Sequence, residues 1–503
     1  MTQVATDESK PAAQRDNIAA DNIGAIAGRG AIYITAAKIW FMASGYGIAI
    51  TLTYLLTPEN YGIYKVVINA VSIINAVIVT GTYQTVSRYI AQEEAKADSV
   101  KAKALALQVY VGGAATLAFF LLAPVVATFL NDSRLTNYLR LASLITLSYA
   151  FFSVYTGYFN GQKRFLAQAS LDAAYSTFKL TFIVAFVWMG FGVMGAVGGF
   201  ALAAGCVLAL SALVGRGGAR KGEVRPGELF KFQSYLLIFT FVLTLLQKVD
   251  VMLIKSLSSP DAKMASENVG FYGASIDVAN LTYQIIISVT FVIFPLVSRS
   301  TFEADRSRTQ LYISNTLRYS IMIMALTATL FSANASEVLR VIYREVYQAG
   351  AGALSIVAFG MLFFGLLYVL TTIISASGHP RVSLLVGVVT LGASVVLNAV
   401  LIPRFGLPGA ASATTVSMLV GVLAASAYLG KEFGALMPIW SAVRIAICAG
   451  AIYGASLLFF TSSKPLIIAK LVALSVLYFV ALIVSREVGR DDLRMIGRVI
   501  RAK

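Results

Sequence analysis

Apolar residues along this chain neither alternate nor keep to one helical stripe. They fill whole runs, with short polar breaks between them. A helix rises 1.5 Å per residue, so about 20 apolar residues cross the hydrocarbon of a bilayer. Fourteen runs meet that length: 31–56, 62–86, 104–130, 136–159, 168–189, 191–214, 231–257, 270–296, 310–332, 350–376, 382–402, 408–429, 440–462 and 465–485. They are too apolar on all faces for the alternating strands of a membrane barrel. The pattern predicts an all-α polytopic membrane protein of about 14 transmembrane helices. Residues 1–22 differ: they are polar and mixed in charge, without the basic start, apolar core and cleavage site of a signal peptide. Residues 1–30 read as a disordered cytoplasmic tail in which Asn22–Gly30 is a candidate interfacial helix.

The polar breaks repeat. Glu59-Asn60-Tyr61-Gly62-Ile63-Tyr64 returns as Glu267-Asn268-Val269-Gly270-Phe271-Tyr272, 208 positions later. Val86-Ser87-Arg88 returns as Val297-Ser298-Arg299, and Gly161-Gln162-Lys163-Arg164 as Gly378-His379-Pro380-Arg381. Phe191-Gly192-Val193-Met194-Gly195-Ala196 returns as Phe405-Gly406-Leu407-Pro408-Gly409-Ala410. Four landmarks in one order at nearly one offset indicate an internal duplication of about 200 residues. Spans 1–6 (31–215) form one lobe and spans 7–12 (231–430) the other, joined by a basic linker at 216–230. Six is even, so the copies run in the same orientation and are expected to be related by a pseudo-twofold along the membrane normal. Two such bundles leave a seam between them, and a seam that opens alternately to either side is what a transporter requires. Spans 13 and 14 (431–485) have no partner, and 486–503 is a basic cytoplasmic tail. Gly192, Gly195, Gly406 and Gly409 are expected in tight turns between spans.

Charge sets the orientation. Of the 40 Lys and Arg, with Arg140 and Lys231 counted in the loops that their spans adjoin, 25 lie at the termini and in the loops after even-numbered spans, 7 lie in the opposite loops and 8 lie within spans. That asymmetry places both termini in the cytoplasm. Composition agrees with a membrane protein: 58% of residues are hydrophobic and 13% charged, against roughly 45–50% and 25% in soluble proteins. The net charge of +16 then reads as topology signals and lipid head-group contacts, not as a nucleic-acid surface. Cys206 and Cys448 both sit in apolar runs, and His379 is the only histidine. Disulfides, histidine-based metal sites and Ser-His-Asp triads have little to work with, and no cofactor is expected.

A few polar residues fall inside the spans, where they are expensive and face protein or water. Span 8 carries Asp277, Asn280 and Gln284 on one helical face; its repeat partner, span 2, carries Asn69, Ser72 and Asn75. Matching stripes on equivalent helices point to a shared cavity, or else to hydrogen bonds within each bundle. Span 7 carries Gln247, Lys248 and Asp250, and span 5 carries Lys179. Lys179 and Lys248 are too deep to snorkel with ease. Lys38 and Arg318 lie roughly 10–12 Å from the cytoplasmic end and can snorkel, as can Lys255 near an outer end. Arg88 and Arg299 end spans 2 and 8 and read either as substrate clamps or as topology anchors. Lys38, Lys179, Lys248 and Arg318 oppose Asp250 and Asp277, so the interior leans positive and favours an anionic substrate. Asp250 and Asp277 are candidates to carry a coupling ion.

With Pro58-Glu59-Asn60-Tyr61-Gly62-Ile63-Tyr64, the Gly81-Thr82-Tyr83 run toward Ser87-Arg88, and the stretch from Gly378 to Ala410, the chain resembles polysaccharide transporters. These form a branch of the multidrug/oligosaccharidyl-lipid/polysaccharide exporter superfamily. The resemblance covers residues 25–485. It implies two six-helix lobes in a V around a cationic cavity and flipping of polyprenyl-pyrophosphate-linked oligosaccharides from the cytoplasmic to the outer leaflet. It implies a bacterial inner membrane, a role in surface polysaccharide such as lipopolysaccharide, and membrane lipids, polymerase and chain-length machinery as partners. It implies no catalytic residues. Lys38, Lys179 and Lys248 suit the cationic lining that such flippases have. An ion-coupled drug antiporter of the same superfamily, a peptidoglycan lipid precursor flippase and a membrane glycan polymerase are the rival readings. The short outer loops disfavour the last.

Overall fold

The computed structural model describes residues 12–216, 226–303, 305–434, 438–489 and 492. The first part of the N-terminal tail, most of the 216–230 linker and most of the 486–503 tail lie outside the described residues. Every regular element among the described residues is helical. The principal helices are α1 (Ala12–Leu55), α2 (Pro58–Gln92), α3 (Ala97–Phe129), α4 (Leu135–Gly161), α5 (Phe165–Phe186), α6 (Gly192–Val214) and α7 (Pro226–Leu257). They continue as α8 (Ala262–Phe302), α9 (Arg306–Ala333), α10 (Ala335–Ile342), α11 (Ala351–Ala376), α12 (Pro380–Phe433), α13 (Ile439–Leu457) and α14 (Lys464–Val484).

All fourteen predicted spans fall on these helices. Among the described residues, nine helical stretches are long and apolar enough to cross a membrane, and two of them, Phe165–Val214 and Pro380–Phe433, hold two spans each. α12 carries spans 11 and 12, and α10 carries none. It is a short helix in the connection between spans 9 and 10, where the pattern predicts no element. Outer faces remain apolar, as on α14, where Leu466, Val472, Val476 and Val480 are exposed. A soluble fold would bury such a stripe; acyl chains accept it.

The double-length stretches break at repeat-equivalent glycines. Gly192 has φ +54° and Gly406 has φ +59°, a region open to glycine and costly for other residues. Beyond each break the chain folds back on itself. A Cβ at Gly195 would meet Phe186, and one turn later a Cβ at Gly199 would meet Phe182. Gly409 against Leu401 and Gly421 against Thr390 show the same opposite stepping on α12. Helix starts are marked in the sequence too. Asp261 and Asp305 cap α8 and α9 by accepting from the backbone N–H groups of Lys263 and Arg308.

The described chain divides into two compact units. One takes the chain up to Leu52, then Ala70–Val125 and Arg134–Phe241; within it α4 packs on α5 and α6. The other takes Thr53–Asn69, Val126–Ser133 and the chain from Val242 onward. Its centre is α11, packed on α8, α9 and α12. The unduplicated α13 packs on α9 and α14, and α14 also meets α10. Glu337 of α10, almost fully buried, fixes that corner by accepting from Lys470 at 2.8 Å and from the Thr461 backbone N–H at 3.0 Å.

Candidate functional site

The two copies of the repeated motif lie against each other inside the second unit. A Cβ at Gly62 would sit 1.8 Å from the Ser266 carbonyl oxygen, and one at Gly270 would sit 2.4 Å from the Pro58 carbonyl oxygen. No side chain fits at either position, so the first turns of α2 and the second and third turns of α8 approach at backbone distance. Tyr61 adds its ring edge to Tyr347, with centroids 5.8 Å apart, and Phe271 packs on the same tyrosine.

One turn into α2 this contact becomes polar. The Lys65 ammonium donates to both carboxylate oxygens of Asp277, at 2.7 and 2.8 Å, and the Tyr61 hydroxyl donates to the same carboxylate at 3.1 Å. The Lys65 stem crosses Gly273, where a Cβ would be 2.8 Å from its Cε. Gly273 is the repeat equivalent of Lys65 itself. The pair therefore depends on an asymmetry between copies: a lysine in one and no side chain in the other. Lys65 and Asp277 remain 14% and 16% exposed.

Lys248 of α7 lies within electrostatic reach of Lys65, Asp277 and Asp250. It is half-buried, and among the described residues its ammonium has no hydrogen bond or ion pair. Both neighbouring carboxylates are engaged elsewhere. Asp277 is held by Lys65 and Tyr61. Asp250 is buried and accepts from neutral donors: the Tyr272 hydroxyl at 2.7 Å, the Val251 backbone N–H at 2.7 Å and Thr414 at 3.4 Å. Lys248 stands nine residues before the end of α7, about 14 Å along the helix. An ammonium at that depth calls for water or an anion.

Other predicted positions scatter more widely. Asn280 and Gln284 are half-buried on the same α8 face as Asp277, while Val278, Ala279 and Thr282 behind them are buried. On α2, Asn69 and Asn75 are buried and Ser72 is half-buried; among the described residues the Asn75 side-chain oxygen has no hydrogen-bond partner. In the first unit, Lys38 is exposed on α1 and interacts electrostatically with Asp172 of α5. The Lys179 ammonium lies 4.2 Å from the centre of the Phe200 ring. Trp40 ties α1 to α5 by donating to Thr177 at 3.0 Å.

Arg318 is tied up. It donates to Glu487 at 2.7 Å and to Asp492 at 3.0 Å, and so fastens α9 to the segment after α14. Arg88 and Arg299 are exposed, and Arg299 pairs with Glu303 one turn on. Lys255 does not snorkel. It is fully buried, donating to Asp132 at 2.9 Å, to Ser266 at 2.7 Å and to the Ala262 carbonyl at 2.9 Å. Its place near a helix end suggests access to the surface, but the α3–α4 connection brings in Asp132 and seals it.

Two further charged residues, Lys65 and Asp172, lie within the spans. Lys65 continues the α2 stripe backward: Tyr61, Lys65, Asn69 and Ser72 are spaced by four, four and three residues, one helical face. Asp172 stands mid-way along α5, seven residues before Lys179. With Arg318 set aside as neutralised, the second unit carries Lys65 and Lys248 with Asp250 and Asp277, and the first carries Lys38 and Lys179 with Asp172. Among the described residues no group of three His, Cys, Asp or Glu is placed to hold a metal ion.

The sequence model of a family described as "Polysaccharide biosynthesis protein" matches residues 27–301. The chain is 23% identical over 195 residues to the probable low-salt glycan biosynthesis flippase Agl15 of Haloferax volcanii, covering 38% of this chain and 41% of that protein. It is 22% identical over 150 residues to an uncharacterized membrane protein of Methanocaldococcus jannaschii, covering 30% of each. The chain thus spans less than half the length of the curated relatives it matches. Among solved structures, the lipid II flippase MurJ in an inward closed conformation superposes with a TM-score of 0.73 at 13% identity, over 91% of this chain and 100% of that one. An inward-facing multidrug resistance MATE family transporter superposes with a TM-score of 0.61 at 14% identity, over 81% and 95%. At these identities the likeness shows a shared fold. The flippase and transporters named here are not catalysts. The many apolar helices and the shared fold make the chain a multi-pass membrane protein.

Proposed function

We infer that this chain, which belongs to the polysaccharide biosynthesis protein family, is a flippase that carries polyprenyl-diphosphate-linked oligosaccharide units from the cytoplasmic to the outer leaflet by alternating access. The observation that carries this reading is Lys248, a half-buried ammonium in mid-span whose neighbouring carboxylates are already engaged. Such a group binds a phosphoryl oxygen more strongly than the same lysine in water would, because little solvent competes. Lys38 and Lys179 are further basic residues at span positions, in the first unit. The diphosphate exchanges water for lysines, the glycan follows it, and the polyprenyl tail stays in lipid. The site sits in the cytoplasmic membrane of the cell, with both termini inside, in line with the 25-to-7 division of basic residues. Surface glycan is the destination, and a glycan polymerase is the partner class downstream.

The test is a strain lacking the gene. Lipid-linked saccharide trapped on the cytoplasmic leaflet, with lost surface glycan, supports the flippase, and the trapped sugar names the substrate. Lys248→Ala should reproduce that defect with folded protein in the membrane. Unchanged lipid-linked pools and intact glycan, in a strain without a second such transporter, sink the reading. They would move the assignment to an ion-coupled antiporter acting through Asp250 or Asp277.

A further inference from the structure

We propose that Asp277 is a built-in stand-in for substrate phosphate. Lys65 leaves it for the second phosphoryl group of a lipid diphosphate held at Lys248, and that exchange unfastens α2 from α8. The idea rests on the reading of Lys248 as an anion receptor and adds a second receptor, Lys65, with a rule for when it acts.

Three observations carry it. First, the Lys65–Asp277 pair is accessible. Lys65 keeps 14% and Asp277 16% of its surface open, and an ammonium has three donors while among the described residues one acceptor residue, Asp277, engages this one. Second, Lys65 and Lys248 are close enough to repel each other, and Asp277 sits in the field of both. Asp277 is hydrogen-bonded to Lys65 and Asp250 to neutral donors, so among the described residues neither carboxylate is hydrogen-bonded to Lys248, although both lie in its field. A monophosphate answers one lysine; a diphosphate, with its charge spread over two phosphoryl groups, answers both. Third, Asp277 joins α8 to α2 beside the glycine contact of the motif copies, through Lys65 and Tyr61. Taking Lys65 away removes two of the three hydrogen bonds that Asp277 accepts from α2. A ligand that binds one arrangement better than another shifts the balance by that difference alone, and here the difference is one ammonium changing anions.

The probes are farnesyl diphosphate and farnesyl monophosphate, added to the purified full-length protein in detergent, with affinity measured by calorimetry. Wild type should prefer the diphosphate, and Lys65→Gln should erase the preference. Asp277→Asn should tighten diphosphate binding about tenfold, because Lys65 no longer has to be won from a carboxylate. In the double variant Lys65→Gln/Asp277→Asn that gain should vanish. A gain that persists there means Asp277 acts only through its field, and the exchange is wrong. Absence of any gain in Asp277→Asn overturns it as well. Lys248→Gln separates the two readings: weak binding of both probes supports the receptor, while wild-type binding of both removes Lys248 and the proposed function with it, whatever the Asp277 variants do. A measurement without substitutions covers the case of a variant that does not fold. Amine-reactive labelling of wild type, read by peptide mass spectrometry, should show farnesyl diphosphate protecting both Lys65 and Lys248. Protection of Lys248 alone rejects the exchange.

Discussion

Two lysine–aspartate pairs sit in the same unit of this protein, and they are built to opposite ends. Lys255 and Asp132 are sealed, at 0% and 2% exposure, and Lys255 has three acceptors for its three donors. Lys65 and Asp277 keep 14% and 16% exposure, and among the described residues Lys65 has a single acceptor residue. The first pair is joined by the α3–α4 connection and the end of α7, where every donor is spoken for. The second lies inside two helices at a contact made of glycines. Ion-pair geometry alone does not tell a brace from a switch. The number of spare donors and the access of water do.

The largest effect should come from breaking the sealed pair. Lys255→Met takes from the buried Asp132 its ammonium partner and breaks the three buried hydrogen bonds of Lys255, and a loss of about 3–5 kcal/mol is expected, read as a clear fall in the thermal unfolding midpoint in detergent. Restoring neutrality with Lys255→Met/Asp132→Asn should recover much of it. Lys65→Met should cost less, about 1–2 kcal/mol, because water reaches Asp277 once the lysine is gone; equal costs for the two lysines would erase the distinction. Gly273→Ala sharpens the comparison further. The new methyl presses on the Lys65 stem, so a small fall in melting temperature should appear in wild type and be halved or absent when Lys65 is already Met. Smallest of all is the exposed Arg299–Glu303 pair, where Arg299→Gln should leave the melting temperature unchanged.

The sequence carried the span pattern almost completely. Twenty-residue apolar runs and glycine-marked breaks are local signals, and the structure puts a helix under every run. The duplication predicted that Gly62 and Gly270 hold equivalent places, but not that they touch, since a repeat gives correspondence and not contact. Lys248 was legible as a charge too deep to snorkel. Lys65 stands one residue past the Glu59–Tyr64 motif, and its four-residue spacing from Tyr61 and Asn69 marks the face it shares with them. Asp132 was not legible at all as the partner of Lys255, because 123 residues separate them and no pattern joins a loop acid to a helix-end lysine. Arg318 misled in the other direction: its acids, Glu487 and Asp492, lie beyond the last span and come back to it only in the fold.

The glycine contact has a hereditary side. Duplication ordinarily leaves one copy free to drift while the other keeps the original task. Here each copy became the mould for the other: the space over Gly62 is filled by the backbone of 266–270, and the space over Gly270 by the backbone of Pro58 and Gly62. A side chain gained in either half must be accommodated by the opposite half at once. The two motifs are thus transmitted as one part, and a hybrid gene that takes only its first half from a related transporter should fail at this seam unless the second motif travels with it.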